Sequence, residues 1–327
     1  MQVVRSYASV PASARGAALA IGNFDGVHRG HQAVLADAAL MAHARGVPAG
    51  ALLFDPHPRL LFQPDKPLFL LTDLDQKLRL LGLLALDVAV VLPFDRALAS
   101  LTAEDFVRQV LVEGLGVSHV VVGHDFNFGR GRAGNDALLD RMGSELGFGV
   151  TVVPAVKGDG QLYSSSSIRD LLRQGDVRAA AERLGYWWRI AGTVVGGAKR
   201  GTGLGFPTAN IEISPGCGLR HGIYAARVTA EGTRHSAAVY LGKRPTFDNG
   251  APVLECFLLD FDGNLYGKRI EVELIDFLRP DGAFPGAEAL VAQMREDCRR
   301  AAETLAALDK HDPMLAHRLG HALADLA

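Results

Sequence analysis

The stretch Ala17-Ala18-Leu19-Ala20-Ile21-Gly22-Asn23-Phe24-Asp25-Gly26-Val27-His28-Arg29-Gly30-His31 sets the reading of the first half of the chain. Residues 17–21 form a short continuous apolar run, as expected of a strand covered on both faces. Glycines follow it and lead into a helix-period segment. Similar runs recur at 49–54, 88–92, 119–122 and 150–153. Helix patterns lie between them at 33–45, 103–114 and 136–146, and Leu74, Leu78, Leu81 and Ala85 are spaced to share the apolar face of a further helix. Strand alternating with helix predicts an α/β, doubly wound parallel sheet. Ligands of such sheets sit beyond the carboxyl ends of the strands, which points to the loops after Ile21 and Val122.

After Leu184 the texture changes. Short β runs at 190–195, 223–229, 237–241, 254–261 and 270–275 are separated by turn formers such as Asp262-Gly263-Asn264. Without helices between them, they predict a small antiparallel barrel, followed by a helix over 287–308. At 327 residues the chain is long enough for two domains, and the boundary is expected near Tyr186, giving 1–186 and 187–327.

Composition narrows the class. The chain is 48% hydrophobic and 21% charged with a net charge of −2, so no global field draws it to nucleic acid or an anionic membrane. Cys217, Cys256 and Cys298 are scattered, which fits a reducing compartment and neither a disulfide framework nor a zinc site. The first 16 residues lack the apolar core of a signal peptide, and 80–92 is too short to span a bilayer and is interrupted by Gly82 and Asp87. A soluble, cytoplasmic protein is expected.

Two segments carry candidate chemistry in the first half. Gly22, Gly26 and Gly30 let the backbone turn tightly at a helix start, where unpaired N–H groups favour phosphate. His28 and His31, one turn apart, have the spacing to donate hydrogen bonds to charge developing on a transferring phosphate. The same residues also fit a plain strand-to-helix turn with two exposed histidines. Far along the chain, Ser164-Ser165-Ser166-Ser167-Ile168-Arg169 opens another helix. Its hydroxyls suit capping, and with Arg169 they also suit a triphosphate. His57, between two prolines, reads as part of a rigid turn.

In the second half, residues 192–210 combine loop glycines, including Gly203 and Gly205, with Lys199 and Arg200. Such a loop cradles phosphates through backbone N–H groups, although a mobile surface loop fits as well. Thr208 and Asn210, two apart on a strand, face one side and offer neutral oxygens to Mg²⁺. Glu255, within Leu254-Glu255-Cys256-Phe257-Leu258-Leu259, is either an outward-facing strand residue or a half-buried base. His317 and His321 lack a third ligand and read as a solvated helix face.

The pairing of H-x-G-H with S-S-x-x-I-R resembles the nucleotidylyltransferase superfamily. The longer string 21–31, with Phe54-Asp55-Pro56-His57-Pro58 and 122–129, resembles the FMN adenylyltransferase half of the bacterial bifunctional riboflavin kinase/FAD synthetases. The segments 205–210, 222–224, 244–247, 254–255 and 265–267, then Phe277-Leu278-Arg279 with Phe284, are similar to the riboflavin kinase half. The resemblance implies a Rossmann-like, nucleotidylyltransferase-type domain followed by a riboflavin kinase-like barrel. It implies that riboflavin is phosphorylated to FMN and FMN adenylylated to FAD, with ATP as co-substrate, FMN and FAD as product ligands and Mg²⁺ as cofactor. His28 and His31 would contact the transferring phosphate. Gly22, Asn23, Phe24, Asp25, Gly26, Asp125, Ser164, Ser165, Ser166 and Arg169 would line the first nucleotide site, with Lys199, Gly203 and Gly205 in the second. Thr208 and Asn210 would hold MgATP, and Glu255 would activate the ribityl hydroxyl. The expected partners are riboflavin, FMN and ATP, with neither nucleic acid nor membrane, in a monomer or weak homo-oligomer.

The chain departs from the family pattern at Ser166, where threonine is usual, and in the barrel at Gly196, Tyr240, Phe257 and Asp281, in place of histidine, asparagine, histidine and glutamate. These changes motivate a second reading, an FAD synthetase whose barrel is an impaired, regulatory flavin-binding module. A nucleotidylyltransferase with another acceptor and an appended binding domain is a third.

Overall fold

The computed structural model describes residues 1–158, 160–196, 206–214, 216–243 and 252–326. The chain divides into two compact units, Met1–Ser165 and Ser166–Ala327.

The first unit is built on a six-stranded, all-parallel sheet in the order β1-β4-β3-β2-β5-β6. Its strands are β1 (Gln2–Val4), β2 (Ala18–Ile21), β3 (Ala49–Asp55), β4 (Val88–Pro93), β5 (His119–Gly123) and β6 (Gly149–Val153). Every residue of β2 is buried, as the unbroken apolar run required. Because β3 lies on one side of β2 and β5 on the other, the chain reverses its winding at β2. The crevice beyond the carboxyl ends of β2 and β5 is therefore the ligand position for this topology.

The five strands read from sequence are present. The sixth, β1, escaped the pattern because it is three residues long and buries only Val4. Helices Arg29–Arg45 and Asp136–Leu146 form, and the latter has the expected bounds. The segment expected as one helix over 103–114 starts as a short α-turn and continues as a π-helix, Phe106–Leu115, with Phe106, Val107, Val110 and Leu111 in the core. One helical face requires correction. In Leu74–Leu83 the buried side chains are Gln76, Lys77, Leu80 and Leu81, while Ala85 lies beyond the helix end at φ 58°. The spacing 74/78/81/85 pointed to a different stripe because a lysine and a glutamine occupy buried positions, which apolar periodicity does not reveal.

A small ribbon, β7 (Lys157–Gly158) and β8 (Gln161–Leu162), precedes the helices Ser165–Gln174 and Val177–Leu184. The second unit is a closed antiparallel barrel in the order β10-β13-β12-β11-β14-β9. Its strands are β9 (Arg189–Val195), β10 (Ala209–Glu212), β11 (Gly222–Ala230), β12 (Thr233–Lys243), β13 (Pro252–Leu258) and β14 (Arg269–Arg279). The strand expected to run to 261 stops at Leu258, and Asp260 turns the chain at φ 54°.

Alternate barrel residues face opposite ways. Tyr224, Val239, Leu254 and Cys256 are fully buried inside. Ile223, Ala225, Ala238 and Ile275 pack outward onto Ala301, Leu305 and Leu308 of the helix Ala287–Lys310. The tail is tied down by Asp312, which accepts from Trp187 Nε1 at 3.0 Å and pairs with Arg227 at 3.1 Å.

Candidate active sites

The first candidate site is the turn between β2 and the helix Arg29–Arg45. Phe24, Gly26 and Val27 all have positive φ (47°, 82° and 37°), a conformation that side-chain-bearing residues avoid and that concentrates at functional turns. The turn is held from below by Asp25, which is 1% exposed. Its Oδ1 accepts from the backbone N–H groups of Leu71 (2.9 Å) and Thr72 (3.2 Å), while Gly26 N–H donates to Thr72 Oγ1 at 3.0 Å. At least one oxygen of this carboxylate, expected on a nucleotide, therefore anchors the turn to the segment before the helix Leu74–Leu83.

His28 is the helix N-cap, not a first-turn residue, and its Nδ1 accepts from the backbone N–H of His31 at 3.2 Å. That bond puts the ring proton of neutral His28 on Nε2. The two imidazoles stack with centroids 3.6 Å apart and 19° between planes, and Phe24 meets His31 edge-on at 5.3 Å. Burial, then the neighbouring charges of His28 and Lys77, hold the His31 pKa well below 6.5. Two buried atoms in this turn, Asn23 Oδ1 and His31 Nδ1, have no hydrogen-bond partner among the described residues.

The serine segment reaches the same turn. Ser165 Oγ donates to the carbonyl of Asp25 at 2.9 Å, and Arg29 Nη1 donates to Tyr163 Oη at 2.7 Å. A Cβ on Gly30 would stand 3.2 Å from the Tyr163 carbonyl and 3.1 Å from the His28 ring, so the close approach depends on glycine. Ser164 precedes this helix in the first unit; Ser166 and Arg169, the latter buried, lie on it within the second. Asp125 is exposed just past the end of β5. His57 caps Pro58–Phe62 by accepting from Arg59 N–H at 3.2 Å, as its rigid-turn reading required. Arg29, Thr72, Tyr163 and Lys77 were not singled out from sequence. Thr72-Asp73 before a periodic segment marks a helix start, but nothing local links it to a loop 46 residues away.

The second candidate site lies on the outer face of the barrel. Asn210 on β10 is paired with Glu255 on β13, and Glu255 with Tyr240 on β12. Directly paired antiparallel residues point to the same face, so these three side chains form a row. Tyr240 packs against the cluster under the helix Ala287–Lys310, which fixes the row as external. Glu255 is thus outward-facing and half-buried at once. Asn210 is 3% exposed, with Nδ2 3.4 Å from the Thr208 carbonyl. Two sequence departures meet here: Tyr240 Oη donates to Asp281 Oδ2 at 2.8 Å. A third, Phe257, packs edge-on against Phe206 at 5.1 Å. Lys199, Gly203, Gly205 and the segment 244–247 lie outside the described residues.

Among the described residues no group of three His, Cys, Asp or Glu side chains could hold a metal ion, and His321 pairs with Asp325 at 3.1 Å. No helix of the described residues is long and apolar enough to cross a membrane.

A parallel sheet with a histidine-tipped turn at its winding reversal is thus followed by a closed barrel with a polar row outside. Residues 10–167 match the FAD synthetase family and residues 184–305 the riboflavin kinase family. The chain is 38% identical over 312 residues to a bifunctional riboflavin kinase/FMN adenylyltransferase of Pseudomonas fluorescens, covering 95% of this chain and 100% of that one. It is 37% identical to that of Escherichia coli K12, covering 91% and 96%. A Streptococcus pneumoniae structure described as a macrolide-efflux protein superposes with a TM-score of 0.82 at 25% identity, over 92% of this chain and 98% of that one. The chain belongs to the bifunctional riboflavin kinase/FMN adenylyltransferase family.

Proposed function

We propose that the chain makes FAD in two steps divided between its modules, with the functional boundary at Tyr186. On residues 187–327, riboflavin and ATP give FMN and ADP. On residues 1–186, FMN and ATP give FAD and pyrophosphate. Nothing in the family matches favours an impaired barrel or another acceptor.

In the first module, an FMN phosphate oxygen attacks the α-phosphorus of ATP, and the bond to the β-phosphate breaks. His28 donates from Nε2 to a phosphate oxygen, and His31, neutral at pH 7, stands beside it. Gly22, Asn23, Phe24 and Gly26 line the nucleotide site, Asn23 through its side-chain amide, Asp25 fixes the turn, and Asp125, Ser164, Ser165, Ser166 and Arg169 complete the set of nucleotide-binding residues. Positioning and charge stabilisation account for most of such a transfer.

In the barrel, Glu255 takes the proton of the ribityl hydroxyl as its oxygen attacks the γ-phosphorus; ADP leaves and the proton passes to solvent. The hydroxyl of Thr208 and the amide oxygen of Asn210, next to a carboxylate, form a hard all-oxygen donor set that fits Mg²⁺ and not zinc. Those two residues would hold the ion, which when bound neutralises phosphate charge. Lys199, Gly203 and Gly205 belong to the same nucleotide site. The setting proposed is the cytoplasm, whose reducing conditions the three free cysteines suit, with the protein a monomer or weak homo-oligomer.

The observation that supports this reading best is the cross-strand neighbourhood of Asn210 and Glu255 in one unit, with the stacked histidines in the other. Chromatography of flavins after incubation with riboflavin, ATP and Mg²⁺ tests it: FMN and then FAD are expected. FAD from supplied FMN, with no FMN from riboflavin, would instead assign the barrel a regulatory role.

A further inference from the structure

Lys77 is the most unusual charge in the first unit. It is 5% exposed, on the buried face of the helix Leu74–Leu83, and its ammonium makes no hydrogen bond or ion pair among the described residues. An ammonium in such a place is expensive unless something pairs with it. Its surroundings locate it. Asp25, after β2, and Asp55, the last residue of β3, act on its charge, and its charge acts on His31. Geometry agrees: Lys77 lies in the first turn of a helix whose preceding residues, Leu71 and Thr72, are bonded to Asp25 and Gly26 of the histidine turn.

None of the three nearby carboxylates closes an ion pair with it. Asp25 Oδ1 accepts from the 71–72 backbone, and Asp73 caps the helix through Gln76 N–H at 2.7 Å. Burial lowers the Lys77 pKa, partly offset by Asp25, Asp55 and Asp73. In the same turn Asn23 Oδ1 and His31 Nδ1 are buried without partners. Buried polar atoms left unsatisfied beside a cation indicate a place completed by a ligand.

We propose that Lys77 is a phosphate-binding residue of this module, its ammonium meeting a phosphate oxygen of the anion held at His28 and His31. The proposal rests on the adenylyltransferase reading of this unit. A phosphate there gives the Lys77 ammonium a direct partner, and its oxygens accept from both Lys77 and His28 Nε2. The anion is the phosphate of the flavin acceptor or the polyphosphate of the nucleotide, the same chemistry from two sources. Arginine keeps this function and methionine removes it while filling the same space.

The test compares full-length wild type with Lys77→Met and Lys77→Arg. FAD formation is measured with FMN and ATP varied separately, and FMN and pyrophosphate binding by titration calorimetry. Lys77→Met should lower kcat/KM for FAD formation by about 10- to 100-fold, the range of a charge-assisted hydrogen bond. The loss should fall on FMN if the acceptor phosphate is met, and on ATP and pyrophosphate if the nucleotide is. Lys77→Arg should recover most of it, and FMN formation from riboflavin should not change. The unliganded Lys77→Met protein should melt no lower than wild type, because an unpaired buried charge has gone. Unchanged kcat/KM and binding for both substrates would overturn the proposal. So would a lower melting temperature with no rescue by arginine, which would make Lys77 a structural residue. FAD formation by wild type checks the underlying reading separately, and the calorimetry decides on Lys77 whichever way that falls.

Discussion

His28 and His31 stack face to face, 3.6 Å between ring centres, with the Nδ1 of the first accepting from the backbone N–H of the second. One imidazole is thereby fixed as cap and donor, and the other is pressed against it in a site where a second positive charge is unwelcome. The pair is a single stacked unit within the turn.

A pH dependence of stability follows. The folded pKa of His31 lies well below the ordinary 6.5. Above about pH 6.5 neither the folded nor the unfolded chain carries that proton, so the contribution is flat. As pH falls below 6.5, the unfolded chain binds a proton that folded His31 resists, and stability drops until the folded pKa is reached. Melting temperatures between pH 7.5 and 5 should therefore decline less steeply in His31→Gln than in wild type.

Asp25 tests the anchoring of the turn. Removing its carboxylate in Asp25→Ala leaves the buried N–H groups of Leu71 and Thr72 without their acceptor, a loss of about 2–4 kcal/mol. A lower melting temperature for the first unit is expected, with FAD formation impaired and FMN formation retained. A wild-type melting profile would remove the anchoring role.

Tyr240 and Asp281 departed from the family pattern as separate residues, yet they are hydrogen-bonded to each other. Tyr240→Phe and Asp281→Asn should each shift the riboflavin KM by a few-fold, and the double variant by no more than either. The coupling expected of an exposed pair is about 1 kcal/mol or less. Additive shifts would mean the two act independently.

How far the sequence could be read depended on which residues obeyed the hydrophobic pattern. Continuous runs such as 18–21 and 88–92 revealed the parallel sheet because burial on both faces leaves only apolar side chains. The helix Leu74–Leu83 was found but its buried face misread, because Gln76 and Lys77 sit where apolar residues usually do. The histidines and Glu255 were legible as motifs. The contacts that hold the histidine turn, Asp25 with Thr72 and Arg29 with Tyr163, join residues 47 and 134 positions apart and left no local trace. The row Asn210–Glu255–Tyr240 depends on barrel register, which strand patterns alone do not specify.

The separation of the two chemistries is tested most directly by flavin chromatography of His31→Ala and Glu255→Gln, each supplied with riboflavin or FMN plus ATP and Mg²⁺. His31→Ala should accumulate FMN and form no FAD. Glu255→Gln should lose FMN formation by about 10²- to 10⁴-fold and still convert supplied FMN to FAD. A folded variant of either kind that loses both reactions equally would contradict the assignment of one phosphate transfer to each module.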